Sequence, residues 1–151
     1  MSYENLLVII NHYCRDDLVR HIMHGPVIGL AAWKEKVNRS WSKVSLVRTD
    51  NKADALMSGD NLKIEVAARL GDLTSEDVVL ECVIGAESGH DEFSVRDHIQ
   101  FTPSGINSEG DSLFELDLAP PFSGLQFYKI RLYPSHRLLC HPFETGRIVW
   151  L

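Results

Sequence analysis

Residues 61–70 read NLKIEVAARL. Leu62, Ile64, Val66, Ala68 and Leu70 fall on one side of an extended chain, and Lys63, Glu65 and Arg69 on the other. Successive side chains of an extended backbone point to opposite faces. A period of two therefore predicts a strand with one buried and one wet face. The stretch GDLTSEDV that follows is rich in Gly, Asp and Ser and predicts a turn. Beyond it Val78, Leu80, Cys82 and Ile84 make a second inward set, which places the Cys82 thiol in the interior.

The same period extends in both directions. Val44 and Leu46 alternate with polar neighbours upstream. Downstream, FSVRDHIQF alternates Phe93, Val95, Ile99 and Phe101, with Asp97 breaking the apolar side. PSGINSEGDS reads as a loop, and LFELDLAP as a short strand ended by Pro120 and Pro121. LQFYKIRLY sets Leu125 and Phe127 against Tyr128, Ile130 and Leu132, and GRIVWL closes the chain as a seventh strand. Short strands parted by Gly, Pro and Asp loops, with no helical period between them, predict an antiparallel β-sandwich of immunoglobulin-like or fibronectin-like type.

Before Trp41 the period is helical. Leu6, Ile10 and Tyr13 share a stripe that Leu18 and Ile22 continue, and Gly25-Pro26 stops it. Leu30, Trp33, Val37 and Trp41 then fall on one face of a second helix, with Lys34, Glu35, Lys36 and Arg39 largely off it. The expected organisation is an α-helical hairpin over residues 1–42 followed by a β-sandwich over residues 43–151.

The balance of charge excludes several classes. Fifteen Lys and Arg against 21 Asp and Glu give a net charge of −6, and the basic residues are scattered. A nucleic-acid surface needs a basic patch, so that partner is not expected. The 151-residue chain shows no run near the length of a membrane span and no basic, cleavable leader. Cys14, Cys82 and Cys140 are odd in number and far apart, which disfavours a disulfide framework and a zinc ribbon. A reduced, cytoplasmic protein is the expectation.

Seven histidines raise the question of metal. His21 and His24 are spaced to share an ion on a helix, yet no third ligand and no HExxH pattern accompanies them. In RLYPSHRLLCHPFETG, residues 131–146, His136, Cys140 and His141 crowd between Pro134 and Pro142. Adjacent Cys140 and His141 point apart, and Leu138, Leu139 and Phe143 suit a segment that covers a core. Ser135 beside His136 is no nucleophile–base pair, because such partners converge from separate elements. His90, Asp91 and Glu92, with Asp97 and His98, read as a solvated hairpin tip and exposed strand positions. No catalytic, cofactor or metal residue is assigned.

Three longer stretches carry a resemblance: LAAWKEKVNRSWSKVSLV, LKIEVAARLGDLTSEDVVLECVIG and SGLQFYKIRLYPSHRLLCHPFETGRIVWL. Together, residues 33–151 resemble the C-terminal tail of the long-chain bacterial and archaeal α-glucan (glycogen-type) phosphorylases. That tail closes with a Gly-x-x-x-Tyr strand, a Pro-x-His turn and a final Glu-x-Gly-x-[IV]-x-Trp strand. Here these fall on Gly124, Tyr128, Pro134, His136, Glu144, Gly146, Ile148 and Trp150. The resemblance implies an enzyme that uses pyridoxal phosphate to convert α-1,4-glucan and phosphate to glucose 1-phosphate. This chain has no room for two Rossmann-like lobes, no Gly-rich phosphate loop, and no identifiable cofactor lysine among its six.

The leading expectation is thus a noncatalytic β-sandwich belonging with a phosphorylase catalytic domain, as a fragment or a stand-alone relative. Alternatives are a glucan-binding module and a small hydrolase, for which the sequence offers no constellation. Trp33, Trp41 and Trp150 are the candidates for contact with a partner or with α-glucan.

Overall fold

The computed structural model describes residues 29–50, 60–88, 92–119 and 127–151. The first helix of the expected hairpin, with Leu6, Ile10 and Tyr13, lies outside them. The chain divides into two compact units, Met1–Glu35 and Lys36–Leu151.

Residues 29–40 form the expected second helix, which tightens into a 3-10 turn at Trp41–Lys43. Trp33, Val37 and Trp41 are buried and Leu30 half-buried, as the spacing of three and four requires. Within the larger unit the end of this helix rests on the turn after residue 70. A side chain at Gly71 would meet the Ser40 Cβ at 3.4 Å, and Gly71 has φ +63°, which favours glycine. Lys36 Nζ donates to Asp77 Oδ2 at 2.8 Å. Asp77 also closes a capping box with Thr74, which is how GDLTSEDV becomes a turn with one 3-10 segment, Ser75–Asp77.

Eight strands lie among the described residues: β1 Ser45–Arg48, β2 Leu62–Arg69, β3 Val78–Ser88, β4 Glu92–Gln100, β5 Thr102–Ile106, β6 Ser112–Leu118, β7 Phe127–Pro134 and β8 Val149–Trp150. They make two antiparallel four-stranded sheets, ordered β1-β2-β6-β5 and β4-β3-β7-β8. This is the immunoglobulin Greek key, with β4 as one added strand at the edge of the second sheet. The sandwich expected from alternation is the fold observed. Ile64, Val66, Leu80, Cys82, Phe114, Ile130 and Leu132 fill the space between the sheets. Arg48 of β1 crosses that space to donate to the Tyr128 hydroxyl of β7, tying the sheets together.

Two details differ from the alternation as read. The stretch expected to be wholly loop begins with a strand, β5, paired to β6. All five of its residues are exposed, so no period marks it. A single residue, Phe101, separates it from β4. Its amide still donates to Leu80 of the second sheet at 2.9 Å, and Thr102 already pairs with Glu115 of the first.

The second difference is in β4. Ile84 pairs with Asp97 but Gly85 with Val95, so Arg96 is an extra residue in a bulge. One extra residue reverses the facing of everything beyond it. Ile99 therefore opposes inward-facing Cys82, and Phe93 and Val95 turn outward, with Val95 47% exposed. Phe93 then lies across Gly85, where an added Cβ would approach its ring to 2.7 Å.

Candidate functional site

The cluster of polar groups that draws attention lies on the outer side of the second sheet. Alternation puts Glu81 on the face opposite Leu80 and Cys82, and a strand with a wet outer face would expose it. Instead Glu81 is 4% exposed and Val83 beside it is buried. The central strand β3 is covered on both faces. Register explains the company Glu81 keeps: it pairs with Gln100 of β4 and with Arg131 of β7, and Arg131 pairs with Trp150 of β8. Directly opposed residues share a face. One row thus crosses all four strands: Gln100, Glu81, Arg131, Trp150.

Glu81 is satisfied within the row's neighbourhood. Arg131 donates to Glu81 Oε1, and the Tyr133 hydroxyl donates to Oε2 at 3.1 Å. His98 places Nδ1 3.5 Å from Oε1. Burial, followed by the negative charge of Glu81, pushes the Tyr133 phenol up to about 12. Aromatic rings surround the guanidinium: its central carbon lies 4.8 Å from the Phe143 centroid, 5.6 Å from Trp150 and 5.8 Å from Tyr133. Tyr133 and Phe143 meet edge to face at 5.0 Å.

The crowded segment after Pro134 supplies Phe143 to this cluster, and several of its other groups hold its own turns. Leu138 N–H donates to His136 Nδ1 at 3.2 Å, and Phe143 N–H donates to His141 Nδ1 at 3.1 Å. Cys140 is exposed, and its amide donates to Glu144 at 3.0 Å. Among the described residues no group of three or more His, Cys, Asp or Glu is placed to hold a metal. His21, His24, Cys14, His90 and Asp91 lie outside the described residues.

A second polar node sits between the sheets. Arg48 Nε and Nη2 donate to the two carboxylate oxygens of Asp50, each at 2.7 Å, and the Glu65 amide donates to Asp50 Oδ1 at 3.1 Å. Arg48 holds the Asp50 carboxyl below its usual range. Cys82 is buried nearby, and desolvation pushes its thiol up to about 12, which keeps it protonated and unreactive.

The three tryptophans separate sharply. Trp33 and Trp41 are buried, while Trp150 is 51% exposed. The described lysines lie in open or paired surroundings. Lys36 is engaged by Asp77, Lys63 is 76% exposed beside Asp117, and Lys129 lies exposed over the Phe93 ring. None of the described lysines is buried.

Residues 41–151, the turn and the whole sandwich, match the profile of the glycogen phosphorylase C-terminal domain. The chain belongs to that family. A maltodextrin phosphorylase of Thermococcus litoralis is 29% identical over 129 residues, covering 80% of this chain and 14% of its own length. A glycogen phosphorylase of Mycobacterium tuberculosis is 23% identical over 121 residues, covering 79% of this chain and 14% of its own. No solved structure matches significantly. This glycogen phosphorylase C-terminal domain therefore spans about one-seventh of the curated relatives it matches. Several residues of the end motifs quoted above land on the outer cluster and its frame: Pro134 ends β7, His136 caps a turn, and Trp150 backs Arg131, whereas Tyr128 faces the interior and accepts from Arg48. Gly124 lies outside the described residues.

Glu81 is the residue that sequence reading passed over. Its signal was a lone carboxylate inside the apolar run VVLECVIG, with Arg131 and Tyr133 two apart on a partner strand. Among the described residues no helix is long and apolar enough to cross a membrane.

Proposed function

We propose that this chain is the noncatalytic sandwich of an α-glucan phosphorylase, acting in the cytoplasm to stabilise the enzyme or its assembly. Its partner is then a phosphorylase catalytic domain, with residues 1–42 as the helical lead-in and 43–151 as the sandwich. Pyridoxal phosphate and the phosphorolysis of α-1,4-glucan belong to that catalytic part. The observation that carries this reading is the state of the outer cluster. Glu81 is 4% exposed and its oxygens accept from Arg131 and Tyr133, so the carboxylate is turned to partners within the domain and not presented to a substrate in solution. A buried, hydrogen-bonded ion pair of this kind serves as structure.

The test uses the Thermococcus litoralis maltodextrin phosphorylase with and without the segment matching this chain. Deletion should lower the melting temperature or change the number of subunits in the assembly while the remaining folded enzyme keeps its turnover number. Loss of turnover in a deletion variant of unchanged subunit number and melting temperature would overturn the proposal. Added alone, the present chain should release no glucose 1-phosphate from maltodextrin and phosphate.

A further inference from the structure

We propose that β4 is a guarded edge, and that Asp97 is the residue that keeps a second copy of this chain from adding its own β4 strand alongside. The inference concerns the sandwich whatever enzyme it serves. Among the described residues each sheet has two outermost strands, and such a strand offers unpaired amides and carbonyls to any other extended chain. Three of the four are poor templates. β8 has two residues and β1 four, and β5 contains Pro103, which has no amide hydrogen, beside a register shift. β4 is different. It runs for nine residues, Glu92–Gln100, and Ser94, Val95, Arg96, His98 and Gln100 are exposed. Phe93, Val95 and Ile99 are residue types that favour strands.

Hydrogen bonds identify the open side of β4. The Phe101 amide donates to Leu80 of β3, and amides along an antiparallel strand turn alternately to one side and the other. The amides of His98 and Gln100 therefore turn away from β3, toward the edge. Asp97 occupies the first of them: its Oδ1 accepts from the His98 amide at 2.8 Å. The position is an unfavourable one for a carboxylate. Asp97 pairs with Ile84, which is buried between the sheets, so it stands on the apolar side of its strand. A β-branched residue there would pack better against Ile84. A charge on the inward side of an outermost strand, next to a bulge, is a combination that blocks strand addition. A second strand laid along β4 would strip water from the carboxylate and displace its hydrogen bond. The residue that breaks the apolar alternation of FSVRDHIQF thereby acquires a role, since a local rule broken without gain to the fold marks a site kept for another reason.

Light scattering over a range of concentrations tests the guard on the full chain. The parent should keep the mass of one chain. Asp97→Val, which loses both charge and acceptor, should melt no lower than the parent and double its mass as concentration rises. In that dimer the amides of His98 and Gln100 should gain protection from hydrogen exchange. Asp97→Val/Gln100→Pro removes one edge amide and should return to a single chain. Asp97→Lys keeps a charge on the edge and should stay single, although it reduces the net charge of −6 further than Asp97→Val does. An Asp97→Val chain that stays single at every concentration would overturn the proposal. So would loss of its cooperative melting, which would make Asp97 a requirement of the fold, or a dimer without protection at His98 and Gln100. A parent already paired through β4 would do the same. Dimerisation of Asp97→Lys as strong as that of Asp97→Val would assign the association to net charge and likewise sink the guard.

Discussion

The two sheets share one interior and differ on the sides turned away from it. The first sheet keeps the simple arrangement, with Ile64 and Val66 inside and Lys63, Glu65, Arg69, Glu115 and Asp117 in water. The second carries an additional layer. Over β3 lie Phe93, Arg131, Tyr133 and Phe143, and beneath them Glu81 and Val83 are as enclosed as core residues. A sandwich of this size thus has a dry interior common to both sheets and a second, smaller, partly ionic interior belonging to one. The first is built on non-directional apolar burial. The second depends on specific donors and acceptors, so its tolerance of substitution differs in kind.

The largest effect should come from the shared interior. Ile64 has no exposed surface, and Ile64→Asp places an unpaired carboxylate between the sheets. The variant should show no cooperative thermal transition by circular dichroism. A folded, cooperative variant would mean that the interior is not dry.

Next comes the layer that only the second sheet possesses. Arg131→Leu leaves the Glu81 carboxylate enclosed with the Tyr133 hydroxyl and His98 as its remaining neighbours. Loss of about 3 kcal/mol in urea unfolding is expected. The double variant Glu81→Leu/Arg131→Leu should regain most of it, since the cost lies in the stranded charge. Equal losses in the single and double variants would show that the layer is held by packing alone.

The Arg48–Asp50 node between the sheets responds to acid. Its carboxyl is held below the ordinary value, so the folded state binds a proton less readily than the unfolded state. The stabilisation is fully present above the unfolded value near pH 4. It is lost as pH falls through the lower folded value. Asp50→Asn should be less stable than the parent at neutral pH, and the gap should narrow as pH falls below about 4. A gap independent of pH would assign the node's contribution to neutral hydrogen bonds.

The smallest effect belongs to the outer face of the first sheet, where Glu65 and Glu115 stand directly opposed and exposed. Like charges so placed repel, and Glu115→Lys should raise stability by a few tenths of a kcal/mol, less in high salt. A destabilising result would show that this face, too, has a structured covering.

These contrasts explain what sequence reading reached. The shared interior was legible because alternation reports a strand with one dry face. Leu62, Ile64, Val66, Leu80, Cys82 and Ile84 needed nothing else. The helix stripe of Trp33, Val37 and Trp41 was legible for the same reason at its own period. Three features were not. Strand β5 has no buried residue, so no apolar signal marks it. The bulge at Arg96 depends on pairing with β3, which alternation along one strand does not contain. The enclosure of Glu81 depends on Arg131, fifty residues away, being its cross-strand partner. Of the candidate site, Trp150 was singled out from its residue type, but the row that supports it is a property of register.

The passage at Phe101 also sets how the chain tolerates change. With the last hydrogen bond of one sheet at Phe101 and the first pair of the other at Thr102, this junction has no slack. An inserted residue there would have to bulge out of line or reverse the facing of β5. The turn at residues 107–111 is different: Asn107 caps it through two backbone amides at 2.9 Å, and its middle residues are exposed. For anyone grafting a tag, a fluorophore or a foreign loop onto this sandwich, the turn at 107–111 is the port of entry and Phe101 is the weld.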